Sequence, residues 1–326
     1  MSKTTNSGDG PDPLVEKVWQ EVQELGLERH IAELEIRGYT IIPPEIAAPN
    51  RLAERLLDAC LDVAEKRNGT RPNLKTATSH APEDSKRFEG ALGADQGDSP
   101  IGDLMQMLLP EDQVFEEALM NPVLLAMASY RCGYRSVLLT MGCFMKGPNK
   151  TALPLHCDAM GPSPLQANAT ECNITYALTD YSPEKGCTVF VPGSHKWCRK
   201  PSPDESIVID NPRVVPVECP AGSLLCWHGN TWHGALNRRI DGIRVSIVVD
   251  LVRSHIRTGE NLNGKISQEA LDRNSARFAV ITHQGMGQGS GDAKQASADA
   301  KRYMEVMAAY EKEIGADLLS STSIYS

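Results

Sequence analysis

Several absences narrow the problem before any motif is read. The 326-residue chain contains no run of eighteen apolar residues, so no membrane-crossing helix is expected. Its first ten residues, Met1 to Gly10, are polar and hold no hydrophobic core of a secretion signal, and a soluble cytoplasmic protein is the expectation. Basic residues are outnumbered, 33 against 42 acidic for a net charge of −9, which argues against nucleic acid or an anionic membrane surface as the main partner. The nine cysteines are odd in number and include no Cys-x-x-Cys pair, so they read as reduced, mostly core residues.

Nothing in the middle of the chain resembles a linker. The expectation is a disordered segment at 1–10 followed by a single domain over 11–326, with a helical part at 11–135, a strand-rich core at about 136–255 and a loop and helix at 256–326. Asp12-Pro13 offers an N-cap and a first-turn proline for a helix whose buried stripe is Val15, Val18, Val22 and Leu25. Gly38 to Ile42 reads as a short strand, and Leu52, Leu56, Ala59 and Val63 fall at helical spacing after it. Residues 67–100 are expected as a loop that could serve as a substrate-facing flap, before short helices at 101–109 and 113–130. Strands are then expected at 136–146, 152–158, 172–181, 187–191, 213–217, 222–228 and 243–253. Many short strands joined by Gly/Pro turns, with no helices alternating between them, indicate a mainly β chain with flanking α-helices built on a double-sheet jelly roll. Residues 284–291 read as a flexible connector to a last helix, whose stripe of Tyr303, Met307, Tyr310 and Ile314 is expected to pack on the domain, with a homodimer contact as the other use.

The chemistry concentrates in Leu153-Pro154-Leu155-His156-Cys157-Asp158-Ala159-Met160. On an extended strand His156 and Asp158 face the same way and Cys157 the other, so one strand is expected to supply two metal ligands. A third is sought on another strand, and His233 is the best-placed histidine. Two imidazoles and one carboxylate on one face of a metal leave positions open for other molecules, the pattern of non-haem Fe(II) oxygenases. In the β-branched run from Ile243 to Val252, alternation puts Arg244 and Ser246 on one face and Ile243, Val245, Ile247 and Val249 on the other. An arginine on so apolar a strand suits an anion, which its planar fork and the neighbouring serine hydroxyl can hold.

The segments His156-x-Asp158, Thr175 to Cys187, Val191-Pro192-Gly193-Ser194-His195, His233 and Arg244 fall in an order that resembles the phytanoyl-CoA dioxygenase-like branch of the Fe(II)/2-oxoglutarate-dependent oxygenases. The resemblance implies a double-stranded β-helix (jelly-roll, cupin-like) core. It implies Fe(II) held by His156, Asp158 and His233, and 2-oxoglutarate anchored by Arg244 with help from Ser246 and Thr175. It also implies that O2 and 2-oxoglutarate are consumed to succinate and CO2 while a small-molecule substrate is hydroxylated, desaturated or rearranged. Only His233 stands eleven residues before the arginine, so it is preferred over His228, which would be a pocket-wall residue or support the ligands from behind. In halogenating relatives the carboxylate position is a small residue. Asp158 fills it here, and no halide requirement is expected.

The other histidines are read more plainly: His195 braces a turn, and His30, His80, His255 and His283 are solvated or capped. Residues 161–170 could overhang the metal. Leu153, Leu155, Met160 and Leu165, near the expected mouth, suggest a mainly hydrophobic substrate. Two other classes fit parts of the pattern, a metal-dependent hydrolase on the same fold and a non-catalytic jelly-roll binding protein. Neither has a use for both open metal positions and Arg244-x-Ser246.

Overall fold

The computed structural model describes residues 12–76, 98–284 and 293–326. Its helices are α1 (Pro13–Glu24), α2 (Glu28–Arg37), α3 (Pro44–Ala47), α4 (Leu52–Asn68), α5 (Gln113–Leu119), α6 (Pro122–Cys132), α7 (Gln268–Arg273), α8 (Ala276–Ile281) and α9 (Ala293–Ile314). Its strands are β1 (Tyr39–Ile42), β2 (Asp103–Met105), β3 (Val137–Lys146), β4 (Leu153–His156), β5 (Glu171–Ala177), β6 (Thr188–Phe190), β7 (Val215–Pro216), β8 (Leu224–His228), β9 (His233–Ala235) and β10 (Arg244–Val252). They form a six-stranded sheet in the order β1-β8-β5-β10-β3-β2 and a four-stranded sheet in the order β4-β9-β6-β7. Every pairing is antiparallel. Two such sheets with helices flanking them make the jelly roll.

The two faces of β10 explain how the layers stack. Val245, Ile247, Val249 and Leu251 are fully buried and enter the main core, where they meet Leu56 and Cys60 of α4, Phe115 of α5 and Leu124 of α6. Arg244, Ser246, Val248 and Asp250 turn the other way, into a cavity between the sheets. Helices therefore cover one face of the large sheet, and the small sheet covers the other. A second apolar cluster, including Tyr39, Phe190, Leu225 and Trp227, binds the two sheets together, with Tyr39 stacked on Phe190 at 4.2 Å between ring centroids. The terminal helices close on each other: Leu14 and Val18 of α1 pack with Met307 and Tyr310 of α9 around Tyr134.

Several local expectations are corrected. The buried stripe of α1 runs through Leu14, Val18 and Val22, and Val15 is exposed. Residues 101–109 do not form a helix. Gly102, at φ +81°, lies so close to Met145 that an added Cβ would meet its carbonyl oxygen at 2.3 Å, and Asp103–Met105 pairs with the edge of β3. Pairing with a sheet edge overrides the helical preference of Leu and Met. Residues 113–130 divide into α5 and α6 at Asn121-Pro122, where the Asn121 side chain accepts from Val123 N and Pro122 occupies the first turn. His233 lies on a strand, as expected of the third ligand, and that strand, β9, continues to Ala235 in what was expected as a turn-rich stretch. Beside His233 an added Cβ on Gly234 would meet the Leu153 carbonyl oxygen at 2.4 Å, so only glycine lets β4 and β9 approach this closely.

In α9 Met307 and Tyr310 are buried, with Tyr303 and Ile314 partly buried beside them. Residues 1–10, most of the 67–100 loop including His80, and the 285–291 connector lie outside the described residues. Among the described residues no helix is long and apolar enough to cross a membrane.

Candidate metal centre and cavity

β4 ends at His156, directly opposite His233 of β9 in the antiparallel register, so the small sheet alone brings the two imidazoles together. Their ring centroids are 4.2 Å apart. Asp158 lies beyond the strand end rather than on it, which corrects the single-strand expectation. Hydrogen bonds from Asp158 N and Ala159 N to the Gly229 carbonyl, 3.0 and 3.1 Å, turn the chain back so that the carboxylate still faces the rings. Asp158 Oδ1 is 3.6 Å from His156 Nε2, and Oδ2 is 3.3 Å from His233 Nε2. One ligand atom from each residue lies within 4.8 Å of the others, a spacing that suits a single metal ion.

The protonation of the rings is fixed by what lies behind them. His156 Nδ1 is 2.9 Å from the Pro154 carbonyl oxygen and His233 Nδ1 is 3.0 Å from that of Thr231. A carbonyl only accepts, so each Nδ1 donates to it and each Nε2 is the ring atom left facing Asp158. Burial lowers His233 to about 4, against the opposing pull of Asp158, so its ring is neutral at physiological pH. Asp158 Oδ2 in turn accepts from the Asn173 side-chain amide and from Trp227 Nε1 at 3.3 Å. Asn173 and Trp227 are register partners on β5 and β8. Sequence reading missed both, because their importance comes from the pairing of two strands distant in sequence.

A cavity of about 250 Å³ opens from this cluster into the jelly roll. Thr175, Arg244 and Ser246 all line it, as expected. Arg244 is buried, donates through Nη1 to the Gly186 carbonyl at 2.6 Å and lies over the Tyr181 ring at 4.8 Å from its centroid. Its Nε is sealed from solvent without an acceptor among the described residues. Lys146, opposite Arg244 in the β3–β10 register, is fully buried and donates to the carbonyls of Pro100 and Leu236 at 2.6 and 2.7 Å. Arg238 is buried as well and donates to the Asp241 carbonyl at 2.6 Å. Burial first and the charge of Arg244 second hold Lys146 well below the ordinary lysine value, and the same two causes lower Arg238. None of these three cations forms an ion pair among the described residues, which leaves this end of the cavity short of negative charge.

The opposite end reverses the sign. Asp250 lines the cavity, and burial followed by repulsion from Asp158, Glu171 and Glu260 raises its carboxyl well above the usual range. The alternation that revealed Arg244 and Ser246 continues through Val248 to Asp250, so this residue was within reach of the sequence.

The remaining expected residues lie elsewhere. His228 faces away from the cavity because its neighbour Trp227 faces into it. Its Nδ1 accepts from Asn230 N at 3.0 Å, and it lines a separate hollow with His195, Arg131 and Arg253. His195 contacts the Glu35 carbonyl through Nε2 at 3.2 Å and so ties its short 3-10 turn to α2. His30 and His283 are buried, each with a partner, Thr40 Oγ1 at 2.8 Å and the Leu138 carbonyl at 2.7 Å, whereas His255 is exposed. Cys157 packs on the far side of the small sheet, and all nine cysteines are free. The 161–170 segment does not reach the metal cavity; Ala167, Asn168 and Ala169 border the His195–His228 hollow instead. Of the four apolar residues expected at the mouth, only Leu153 lines the cavity. Leu155 belongs to the cluster around Trp232, Met160 is exposed and Leu165 packs away from it.

A jelly roll with two histidines and one carboxylate converging on an internal cavity defines a class, that of the cupin-like metal-dependent oxygenases. Comparison with known proteins makes the assignment specific: a profile of the phytanoyl-CoA dioxygenase family matches residues 37–246, and the chain belongs to that family. It is 26% identical over 185 residues to dioxygenase af480 of Aspergillus fumigatus, covering 54% of this chain and 58% of that protein. It is 31% identical over 121 residues to dioxygenase aneA of Aspergillus aculeatus, covering 35% of this chain and 40% of that one. The chain thus spans less than two thirds of the length of these relatives. Among solved structures, the fold is shared with the non-haem α-ketoglutarate-dependent carbocyclase SnoK from nogalamycin biosynthesis. That match has a TM-score of 0.50 and 18% identity, and covers 72% of this chain and 92% of the other.

Proposed function

We propose that the protein is an Fe(II)/2-oxoglutarate-dependent dioxygenase acting on a small-to-medium organic metabolite. In this reading His156, Asp158 and His233 hold the iron, and Arg244 binds the distal carboxylate of 2-oxoglutarate with Ser246 and Thr175 beside it. The observation that carries it is the Arg244 guanidinium, buried at one end of the cavity and having, among the described residues, one carbonyl as its hydrogen-bond acceptor and none for Nε. A hydrolase has no use for such a residue, and a carboxylate supplies what it lacks. When bound, iron and 2-oxoglutarate supply the oxidising chemistry: 2-oxoglutarate and O2 become succinate and CO2 while a substrate C–H becomes C–OH.

The chain's own residues do the rest. The Pro154 and Thr231 carbonyls keep both Nε2 lone pairs aimed inward, and Asn173 and Trp227 fix the rotamer of Asp158. Ile101, Leu104, Phe144 and Leu153 give the cavity an apolar wall that excludes water and packs against the apolar part of the substrate. The test is succinate formation by the Fe(II)-loaded chain, together with the visible charge-transfer band that 2-oxoglutarate produces on chelating iron. No band and no succinate at saturating 2-oxoglutarate would remove the proposal.

A further inference from the structure

We infer that Asp250 is the residue that selects the substrate, and that the substrate carries a protonated amine held between Asp250 and the side-chain carbonyl of Asn173. This rests on the dioxygenase reading above and goes beyond it in naming a substrate class. On β10 Asp250 is the direct register partner of Asn173 on β5 and of Thr140 on β3. Asn173 is buried and spends its amide N–H on Asp158, which leaves its Oδ1 sealed from solvent with no donor among the described residues. Asp250 Oδ1 is in the same condition. Two adjacent side chains therefore hold acceptors without donors next to the metal cluster, and Asp250 itself lines the cavity.

The carboxylates nearby add further spare acceptors, and the Thr140 hydroxyl is spent on Glu260. Glu260 accepts from Met107 N at 3.1 Å and from Thr140 Oγ1 at 3.2 Å through Oε1, and its Oε2 has no partner among the described residues. Glu171 accepts from Met160 N at 2.8 Å through Oε1, and its Oε2 likewise has none. The charges that bear on Asp250 are all carboxylates: Asp158, Glu171 and Glu260. Iron at the His156–Asp158–His233 cluster would engage Asp158 and leave the others as they are. A buried acceptor without a donor is costly, and burial with the neighbouring carboxylates keeps Asp250 protonated until a cation is seated beside it. A hydroxyl brings one donor and no charge, whereas an ammonium brings three donors and a positive charge. The ammonium is the group that matches this wall, and the apolar residues between it and Arg244 receive the carbon skeleton.

The experiment uses the anaerobic Fe(II)/2-oxoglutarate protein and matched probes, 2-phenylethylamine against 2-phenylethanol and cyclohexylmethylamine against cyclohexylmethanol, read by perturbation of the charge-transfer band and by the rise in Tm. The amines are expected to bind about ten- to a hundredfold more tightly than the alcohols, the value of one charge-assisted bond. Asp250→Asn is expected to abolish that preference while 2-oxoglutarate affinity stays unchanged, and Asp250→Ser serves if the asparagine variant does not fold. Equal binding of amines and alcohols, or no perturbation by either amine, overturns the inference. So does a preference that survives in Asp250→Asn, because it would mean that Asp250 is a neutral carboxyl donating to Asn173, a bond an asparagine amide replaces. A missing charge-transfer band before any probe is added is a different failure, that of the dioxygenase reading itself.

Discussion

The two ends of the cavity are built on one strand and have opposite characters. Arg244 and Asp250 project from the same face of β10, roughly 20 Å apart at the rise of an extended strand. Around Arg244 are two more buried basic side chains, Lys146 and Arg238, which donate hydrogen bonds to backbone carbonyls. Around Asp250 are the carboxylates Asp158, Glu171 and Glu260, with one oxygen each of Glu171 and Glu260 unpartnered among the described residues. Buried charges of one sign are costly to keep together, and proteins retain them where a ligand completes them. On the two proposals above, the cavity takes two different guests, an anion at the Arg244 end and an electropositive group at the Asp250 end.

The severest way to break this arrangement is to remove the centre. Alanine at His156, Asp158 or His233 is expected to abolish succinate formation and to weaken Fe(II) binding greatly, measured by metal titration; full affinity in His233→Ala with loss in His228→Ala would reverse the choice of third ligand. Breaking the cationic end comes next. Losing a desolvated charge-assisted pair costs about 2–5 kcal/mol, so Arg244→Ala should raise the 2-oxoglutarate concentration for half-maximal turnover by roughly thirty- to several thousandfold. Its iron affinity should remain near wild type, and an unchanged 2-oxoglutarate dependence would return Arg244 to a structural role.

A subtler change lies between the ends. Asn173→Ala removes one donor to Asp158 and should lower Fe(II) affinity by about 10- to 100-fold, the usual effect of losing a group that orients a ligand; no change would show that Trp227 suffices. The smallest effect sharpens the comparison from outside the cavity. Asp103 on β2 is a buried carboxyl that burial raises from 3.8 to about 7, with Oδ2 unpartnered. The folded protein therefore holds more protons than the unfolded chain between those values, and stability is lost as pH rises through that window. Asp103→Asn should raise Tm above pH 7 by at least roughly 2–4 °C, the response to about 1 kcal/mol, with the gain vanishing near pH 4. A gain that is the same at both pH values would contradict the assignment.

Much of the site was legible because strand alternation is a local rule. It placed Arg244 and Ser246 opposite Val245, Ile247 and Val249, and the structure has them so. The order of motifs brought His156, Asp158, His233 and Thr175 to one cavity. The illegible part depends on partners far away in the chain. Asn173 and Trp227 matter because β5 and β8 pair at that register, and β2 is a strand only because β3 offers it an edge. The apolar residues at 153–165 misled about the cavity wall because Leu155 points to the other face of β4, and Met160 and Leu165, beyond the strand's end at His156, do not line the cavity. Asn121-Pro122 was readable as a helix start and shows that a long apolar stretch conceals a break when only its periodicity is traced.

The two donors behind Asp158 have a consequence for anyone who reshapes this centre. They belong to other strands, so they stay when the carboxylate goes. A chain carrying Asp158→Gly would keep the Asn173 amide and the Trp227 indole N–H converging on one corner of the metal cluster with nothing to receive them. Such a corner is a cradle for a small anion, and added formate or halide is the natural reagent for chemical rescue of that variant. The scaffold would then hold as a diffusible ligand what it now holds as a side chain.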